Sequence, residues 1–196
     1  NILWPNLRQP FLDDLAVLHK QTGPWDAVFF TGDLVQQGKP EEFDDMQKEV
    51  LNRLREKLTE LGSGNAVLLA VPGNHDLCRP DPKADNPAVD KLLESGGFNS
   101  IATKFWGSPT NSYRQVISDA FAAYTNWWNA TDHRPQDLTT GELPGDFACT
   151  LECNEHRIGI VGLNTAFLQL QGGDYKEKLI WSTQQLQKVC GGAADD

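Results

Sequence analysis

The sequence is short of positive charge. Lysine and arginine together number 17 against 27 aspartates and glutamates, which gives a net charge of −10 over 196 residues. Proteins that bind long nucleic-acid duplexes or anionic lipid surfaces usually carry a surplus of basic residues, because phosphate groups dominate those contacts. The composition therefore disfavours both kinds of partner.

Long apolar runs are also lacking. No stretch approaches the roughly 20 residues needed to span a bilayer, and the first residues do not have the charged and apolar regions of a secretory signal. Hydrophobic residues nevertheless make up 39% of the chain, which suits an ordinary folded protein. We expect a single folded domain with no membrane partner.

Cysteine and histidine are sparse, with four of each. Only Cys149 and Cys153 lie close in sequence, whereas a zinc site usually has two close pairs. We interpret the cysteines as free thiols of a reducing compartment and expect a cytoplasmic protein. A Gly-x-Gly-x-x-Gly loop is missing as well, which disfavours dinucleotide binding.

The first half of the chain contains a strand–helix–strand pattern. The apolar runs 27–30 and 66–71 predict two short buried strands. Between them, apolar residues recur at helical spacing from Phe43 to Leu61, after a helix start at Pro40. Strands joined in this way are parallel and bring their carboxyl ends to one edge of the sheet. Open α/β sheets bind ligands at that edge.

Helical spacing predicts three further helices. They lie near 6–21, from Val116 to Asn129, and from Ser182 to Cys190. The second of these carries several aromatic residues on one face, which we interpret as core packing.

The last part of the fold prediction concerns a hairpin and a long insertion. Apolar segments on either side of the turn at Asn154-Glu155 predict a hairpin that adds to the sheet. Residues 79–87 contain several prolines and predict an extended loop. We therefore expect an α/β fold, a layered sheet with helices on both faces. An α-rich insertion or cap at about 77–145 interrupts it.

Two polar clusters follow the two predicted strands. The first is Gly32-Asp33 and the second is Gly73-Asn74-His75-Asp76. Carboxylate, amide oxygen and imidazole together suit divalent Mn, Fe or Zn. A histidine beside such a centre can protonate a departing alkoxide. The clusters therefore predict a functional site at one sheet edge.

Gly32-Asp33-Leu34-Val35 with Gly38, followed by Gly73-Asn74-His75-Asp76, resembles the paired motifs of the calcineurin-like metallophosphoesterases. The resemblance implies that Asp33 bridges two divalent metal ions (Mn, Fe or Zn) and that Asn74 binds the second ion and phosphate. It also implies that His75 is the catalytic acid or a hydrogen-bond donor to the transition state, and that Asp76 orients it. The family's reaction is attack on a phosphate ester by a metal-activated water.

Other parts of the family's pattern are missing. No Asp-x-His precedes the first predicted strand, and no Gly-His-x-His follows the last one. We therefore expect residues 1–196 to be a single, apparently truncated domain, which by itself binds metal weakly and has little or no activity. Asn164, at a strand end, and Arg79, which could clamp a phosphate with two hydrogen bonds, are candidates for substrate contact.

Two functions stay open. The first is a metal-dependent phosphoesterase that hydrolyses a phosphomonoester or phosphodiester. The alternative is a non-catalytic sensing or interaction module of a larger multidomain signalling protein, because similar domains occur at the front of such proteins and the ligand set is incomplete. Its partners would then include further domains of the same polypeptide.

Overall fold

A computed structural model describes residues 4–175 and 179–191. Two parallel strands, β1 (Ala27–Phe30) and β2 (Val67–Ala70), pair residue by residue along their full length. The crossover between them consists of three consecutive helical segments, α2 (Pro40–Met46), a π-helical segment (Gln47–Leu51) and α3 (Asn52–Glu60). The predicted strand–helix–strand unit is thus confirmed.

Helix α1 (Trp4–Thr22) precedes β1 and has no fully buried residue. Its apolar residues Leu7 and Val17 are both more than half exposed. The helix is held against the crossover by the indole N–H of Trp4, which donates to the Glu49 carbonyl, and by an ion pair of 3.0 Å between Arg8 and the Glu49 carboxylate. The prediction of a helix near 6–21 is confirmed, with one more turn.

The two faces of the β1–β2 sheet pack against different layers. One face meets helices of the crossover and of the 77–145 segment, whose buried aromatic side chains there include Phe43, Tyr124, Trp127 and Trp128. On the other face, Leu69 of β2 packs against the hairpin described next. Phe29 of β1 stays 54% exposed on that face. The prediction that the first strand is buried is therefore wrong, because the other residues of β1 are only partly buried.

A second, antiparallel sheet has the order β3 (Thr139–Thr140), β4 (Phe147–Cys153), β5 (His156–Gly162). This confirms the predicted hairpin but not its place in the first sheet. Alternate residues of β4 form an apolar face, and that face packs onto Leu69 of β2. One hydrogen-bonding position on the free edge of β2 is taken instead by the carbonyl of His133, which accepts from Leu68 N.

Residues 77–145 are rich in helix, as expected. They form four helices: α4 (Pro87–Leu93), α5 (Gly97–Gly107), α6 (Ser112–Ala120) and α7 (Ala122–Ala130). The single helix predicted from Val116 to Asn129 is therefore two. At the junction Phe121 leaves helical geometry, and the carbonyl of Ala120 accepts a hydrogen bond from the N–H of Cys78. That contact ties the helices to the chain just beyond the Gly73–Asp76 cluster.

The predicted last helix is α8 (Thr183–Val189), whose Ser182 and Gln185 form a capping box. Gln185 is fully buried and donates to the Asp146 carboxylate (3.0 Å) and to the Asn164 carbonyl (3.1 Å). A buried polar network therefore joins α8 to the second sheet. Among the described residues, no helix combines the length and the apolar character that a bilayer crossing requires.

Candidate active site

Two loops follow β1 and β2 and lie side by side. Residues 31–38 form the first loop and residues 71–78 the second. The parallel strands deliver both to one edge of the sheet, and the N–H of Val71 continues the pairing by donating to the carbonyl of Phe30 (3.0 Å). The predicted convergence of the two polar clusters is confirmed.

The loops approach so closely that glycine is required on both. A Cβ on Gly32 would lie 2.9 Å from the Gly73 Cα, and a Cβ on Gly73 would overlap the Asp33 carboxylate. A Cβ on Gly38 would overlap the main chain of Leu77. The glycines of the two motifs therefore make room for main-chain contact between the loops.

Asp33 is the residue on which the two loops meet. Its φ is 56°, a left-handed conformation that is uncommon for a residue other than glycine. Its Oδ1 accepts a hydrogen bond from the main-chain N–H of His75 (3.1 Å), which places the carboxylate beside the second motif. Asn74, the preceding residue, is half-buried.

The side chain of Asp76 is fully buried and forms hydrogen bonds to both loops. Its Oδ1 accepts from the N–H of Val35 (2.9 Å), and its Oδ2 accepts from the N–H of Gly73 (2.8 Å). Burial raises the pKa of Asp76 to about 6, backbone hydrogen bonds act in the opposite direction, and the negative charge of Asp33 raises the pKa further. The Asp76 carboxylate therefore links the two loops by hydrogen bonds.

Both Asp76 oxygens accept from main-chain N–H groups, so the role of Asp76 in orienting the His75 ring stays a prediction. The Nδ1 of His75 instead contacts Gln36 in the first loop. It lies 2.9 Å from the main-chain carbonyl oxygen of Gln36 and 3.0 Å from the side-chain amide nitrogen of the same residue. The other ring nitrogen, Nε2, has no hydrogen-bond partner in the part of the chain that the structure describes.

A family model described as calcineurin-like phosphoesterase matches residues 8–161. The chain belongs to the calcineurin-like phosphoesterase family. The match runs from α1 into β5 and includes both loops of the site. It supports phosphate-ester hydrolysis as the general class of reaction. Comparison with curated proteins and with solved structures gave no match.

Asp33 and Asn74, the residues predicted to bind metal, lie on the two loops. Within residues 4–175 and 179–191, no group of three or more His, Cys, Asp or Glu side chains is placed to hold a metal ion. These residues alone therefore do not fit a centre of two metal ions.

The two residues predicted to contact substrate, Arg79 and Asn164, have different surroundings. Arg79 is exposed, and one of its guanidinium nitrogens donates to the carbonyl of Asn74 (3.1 Å), which puts its positive charge at the rim of the site. Asn164 is fully buried; its side chain donates to Pro144 and accepts from Ala166. Its contact with substrate stays a prediction, and the hydrogen bonds that the structure shows for its side chain are to the protein itself.

Sequence reasoning missed one residue of the site, Gln36. It lies in a loop whose recognised feature is the Gly-Asp pair, and glutamine has no charge that would single it out. The one feature that could have indicated its contact with His75 is its position, three residues after Asp33 on the facing loop.

Proposed function

We propose that the protein is a metal-dependent phosphoesterase that hydrolyses a phosphomonoester or a phosphodiester. The observation that carries this proposal is the meeting of Asp33, Asn74 and His75 at the carboxyl ends of two parallel strands, in a chain of this family. An acid, an amide oxygen and an imidazole at one sheet edge are among the groups that such a reaction uses.

His75 is the proposed proton donor. Its Nδ1 is occupied by Gln36, so Nε2 is the nitrogen that can give a proton to the departing oxygen of the ester. Arg79 is the proposed anion-binding residue, since it is exposed and one of its guanidinium nitrogens donates to the carbonyl of Asn74. A guanidinium fork matches the geometry of phosphate oxygens.

Asp33 and Asn74 are the proposed metal ligands of this chain. When bound, divalent Mn, Fe or Zn would supply a nucleophile at neutral pH and neutralise phosphate charge. Two such ions require ligands in addition to these two residues. We therefore expect residues 1–196 alone to bind Mn²⁺ weakly and to hydrolyse phosphate esters slowly or not at all.

The test of this function uses the natural full-length protein. Hydrolysis of an aryl phosphomonoester and of a phosphodiester is followed with added Mn²⁺ and again after chelation. Asp33→Asn and His75→Asn are each expected to lower kcat by about 10²-fold or more. Asp45→Asn, which changes an exposed carboxylate of α2, is the matched control. Hydrolysis that survives chelation and both substitutions would contradict the proposal.

A non-catalytic sensing or interaction module is the second candidate. The observation that favours it is that the described loops present two candidate metal ligands rather than three or more. The same assay separates the two functions. If the full-length protein binds no Mn²⁺ and hydrolyses neither ester, while it still folds, the module is the better description.

The proposed compartment is the cytoplasm. All four cysteines, Cys78, Cys149, Cys153 and Cys190, are free thiols, a state that reducing compartments maintain. Mass measurement of the protein purified from its own cells, after rapid alkylation, tests this. Four alkylated thiols are expected.

A further inference from the structure

The contacts of the His75 ring decide which of its two nitrogens carries the proton. Nδ1 lies 2.9 Å from the carbonyl oxygen of Gln36 and 3.0 Å from the amide nitrogen of the same residue. A protonated Nδ1 can donate to the carbonyl, whereas a bare Nδ1 can accept from the amide. A single neutral nitrogen cannot do both.

The two contacts are not equally adjustable. A side-chain amide can turn by half a rotation, which exchanges its oxygen and nitrogen and leaves its shape unchanged. With Nδ1 protonated, the turned amide gives a second acceptor, and both contacts become favourable. With Nδ1 bare, its lone pair would face the lone pairs of the carbonyl oxygen at 2.9 Å, and the main chain cannot turn to relieve this.

The Gln36 carbonyl is held in place by its neighbours in the loop. On one side, the N–H of Val35 donates to the buried Asp76 carboxylate (2.9 Å). On the other side, the N–H groups of Gln37 and Lys39 both donate to the Glu42 carboxylate (2.9 and 3.1 Å). The loop is therefore fixed on both sides of Gln36.

We propose that the main-chain carbonyl of Gln36 positions His75 by accepting from Nδ1–H, so that Nε2 is the nitrogen left free to exchange a proton. Asp76 acts indirectly, because its carboxylate accepts hydrogen bonds from the main chain of the loops and not from the His75 ring. Gln36 is thus a positioning residue. The consequence for hydrolysis rests on the proposed function, but the position of the proton on the ring does not.

The experiment reads the tautomer directly. The ¹⁵N-labelled protein, free of metal and substrate, is measured by long-range ¹H–¹⁵N NMR at about pH 8.5, well above the ordinary pKa of imidazole. The signals of His75 are assigned by their loss in His75→Gln. We expect a protonated-type ¹⁵N shift at Nδ1 and an unprotonated-type shift at Nε2. The reverse pattern would overturn the proposal, because it would make the Gln36 amide a donor to a bare Nδ1.

Two variants separate the carbonyl of Gln36 from its side chain. Gln36→Ala removes the amide and keeps the carbonyl, so the Nδ1–H pattern should persist. A return to the Nε2–H form, which an unrestrained imidazole favours, would overturn the role of the carbonyl. Gln37→Ala, an exposed neighbour in the same loop, is the matched control and should leave the spectrum of His75 unchanged.

The outcome is independent of the test of function. An Nδ1–H pattern in a protein that hydrolyses no phosphate ester would support the positioning by Gln36 and reject the proposed function. An Nε2–H pattern in a protein whose hydrolysis requires His75 would do the opposite.

Discussion

The buried carboxylate of Asp146 should make the stability of the protein depend on pH. Asp146 is 3% exposed and accepts hydrogen bonds from the N–H groups of Asn164 (2.8 Å) and Leu143 (3.1 Å) and from the Gln185 side chain (3.0 Å). Burial is the largest cause that raises its pKa to about 6, from an ordinary value of 3.8, while these hydrogen bonds and the charge of Arg114 act in the opposite direction.

The sign and size of the effect follow from this pKa. Because the folded state holds the proton more tightly than the unfolded state, the stabilisation is present at low pH and is lost as the pH rises through about 6. Raising the pH from about 5 to about 7.5 should therefore remove about 1.4 kcal/mol of unfolding free energy through Asp146.

Asp146→Asn removes this titration. At about pH 7.5 the free energy of unfolding of the variant should be about 1–3 kcal/mol lower than that of the unmodified protein, because the new amide turns a donor toward the N–H of Leu143. At about pH 5 the deficit should be larger by about 1.4 kcal/mol. Urea unfolding followed by tryptophan fluorescence measures both, and Asp45→Asn serves as the control. Equal deficits at the two pH values would refute the reasoning. The buried carboxyl of Asp76 is present in both proteins and cancels.

Three further outcomes are expected. Gly38→Ala should cost about 2–4 kcal/mol of unfolding free energy, since the new Cβ would overlap the main chain of Leu77. The control is Gly62→Ala, because Gly62 has a similar positive φ but open space around it, and this variant should cost only about 1–2 kcal/mol. Equal losses for the two variants in urea unfolding would count against contact between the loops as the cause. Tyr124→Phe should cost about 1–3 kcal/mol in the same assay, because it leaves the carbonyl of Ala70 without its partner at 2.8 Å; an unchanged midpoint would contradict this. Calorimetry on residues 1–196 should find no tight Mn²⁺ site, and two tight sites would overturn the ligand count.

The sequence was sufficient to predict the strand–helix–strand unit and the meeting of its two loops. Both depend on short apolar runs followed by glycine, and the parallel crossover then leaves one arrangement of the loops. For the same reason Asp33, Asn74 and His75 could be placed together before their contacts were known.

The partners of the buried polar side chains could not be predicted. Asp76 is adjacent to His75 in sequence, yet its oxygens bind main-chain groups, one of them 41 residues away. Which hydrogen bonds form depends on the main-chain geometry of two loops, and residue type does not encode it. Likewise, the alternating apolar pattern of β4 is the same whether the hairpin extends the first sheet or packs against it as a second sheet. The pattern therefore could not decide between these two arrangements.

The division of α6 from α7 is a third case. The helical pattern continues through Phe121, and the break coincides with a hydrogen bond from Cys78 to the carbonyl of Ala120. Contacts between distant parts of the chain override local periodicity at such points.

The central claim is that His75 donates a proton to the leaving oxygen of a phosphate ester. Its most direct test is the dependence of kcat on the leaving group, measured for the full-length protein and for His75→Asn with phenyl and nitrophenyl phosphate esters. We predict that the variant loses about 10²–10⁴-fold in kcat with the phenyl ester, whose oxygen needs the proton. With the nitrophenyl ester, whose oxygen leaves readily without it, the loss should be much smaller. An equal loss with both esters would contradict the claim.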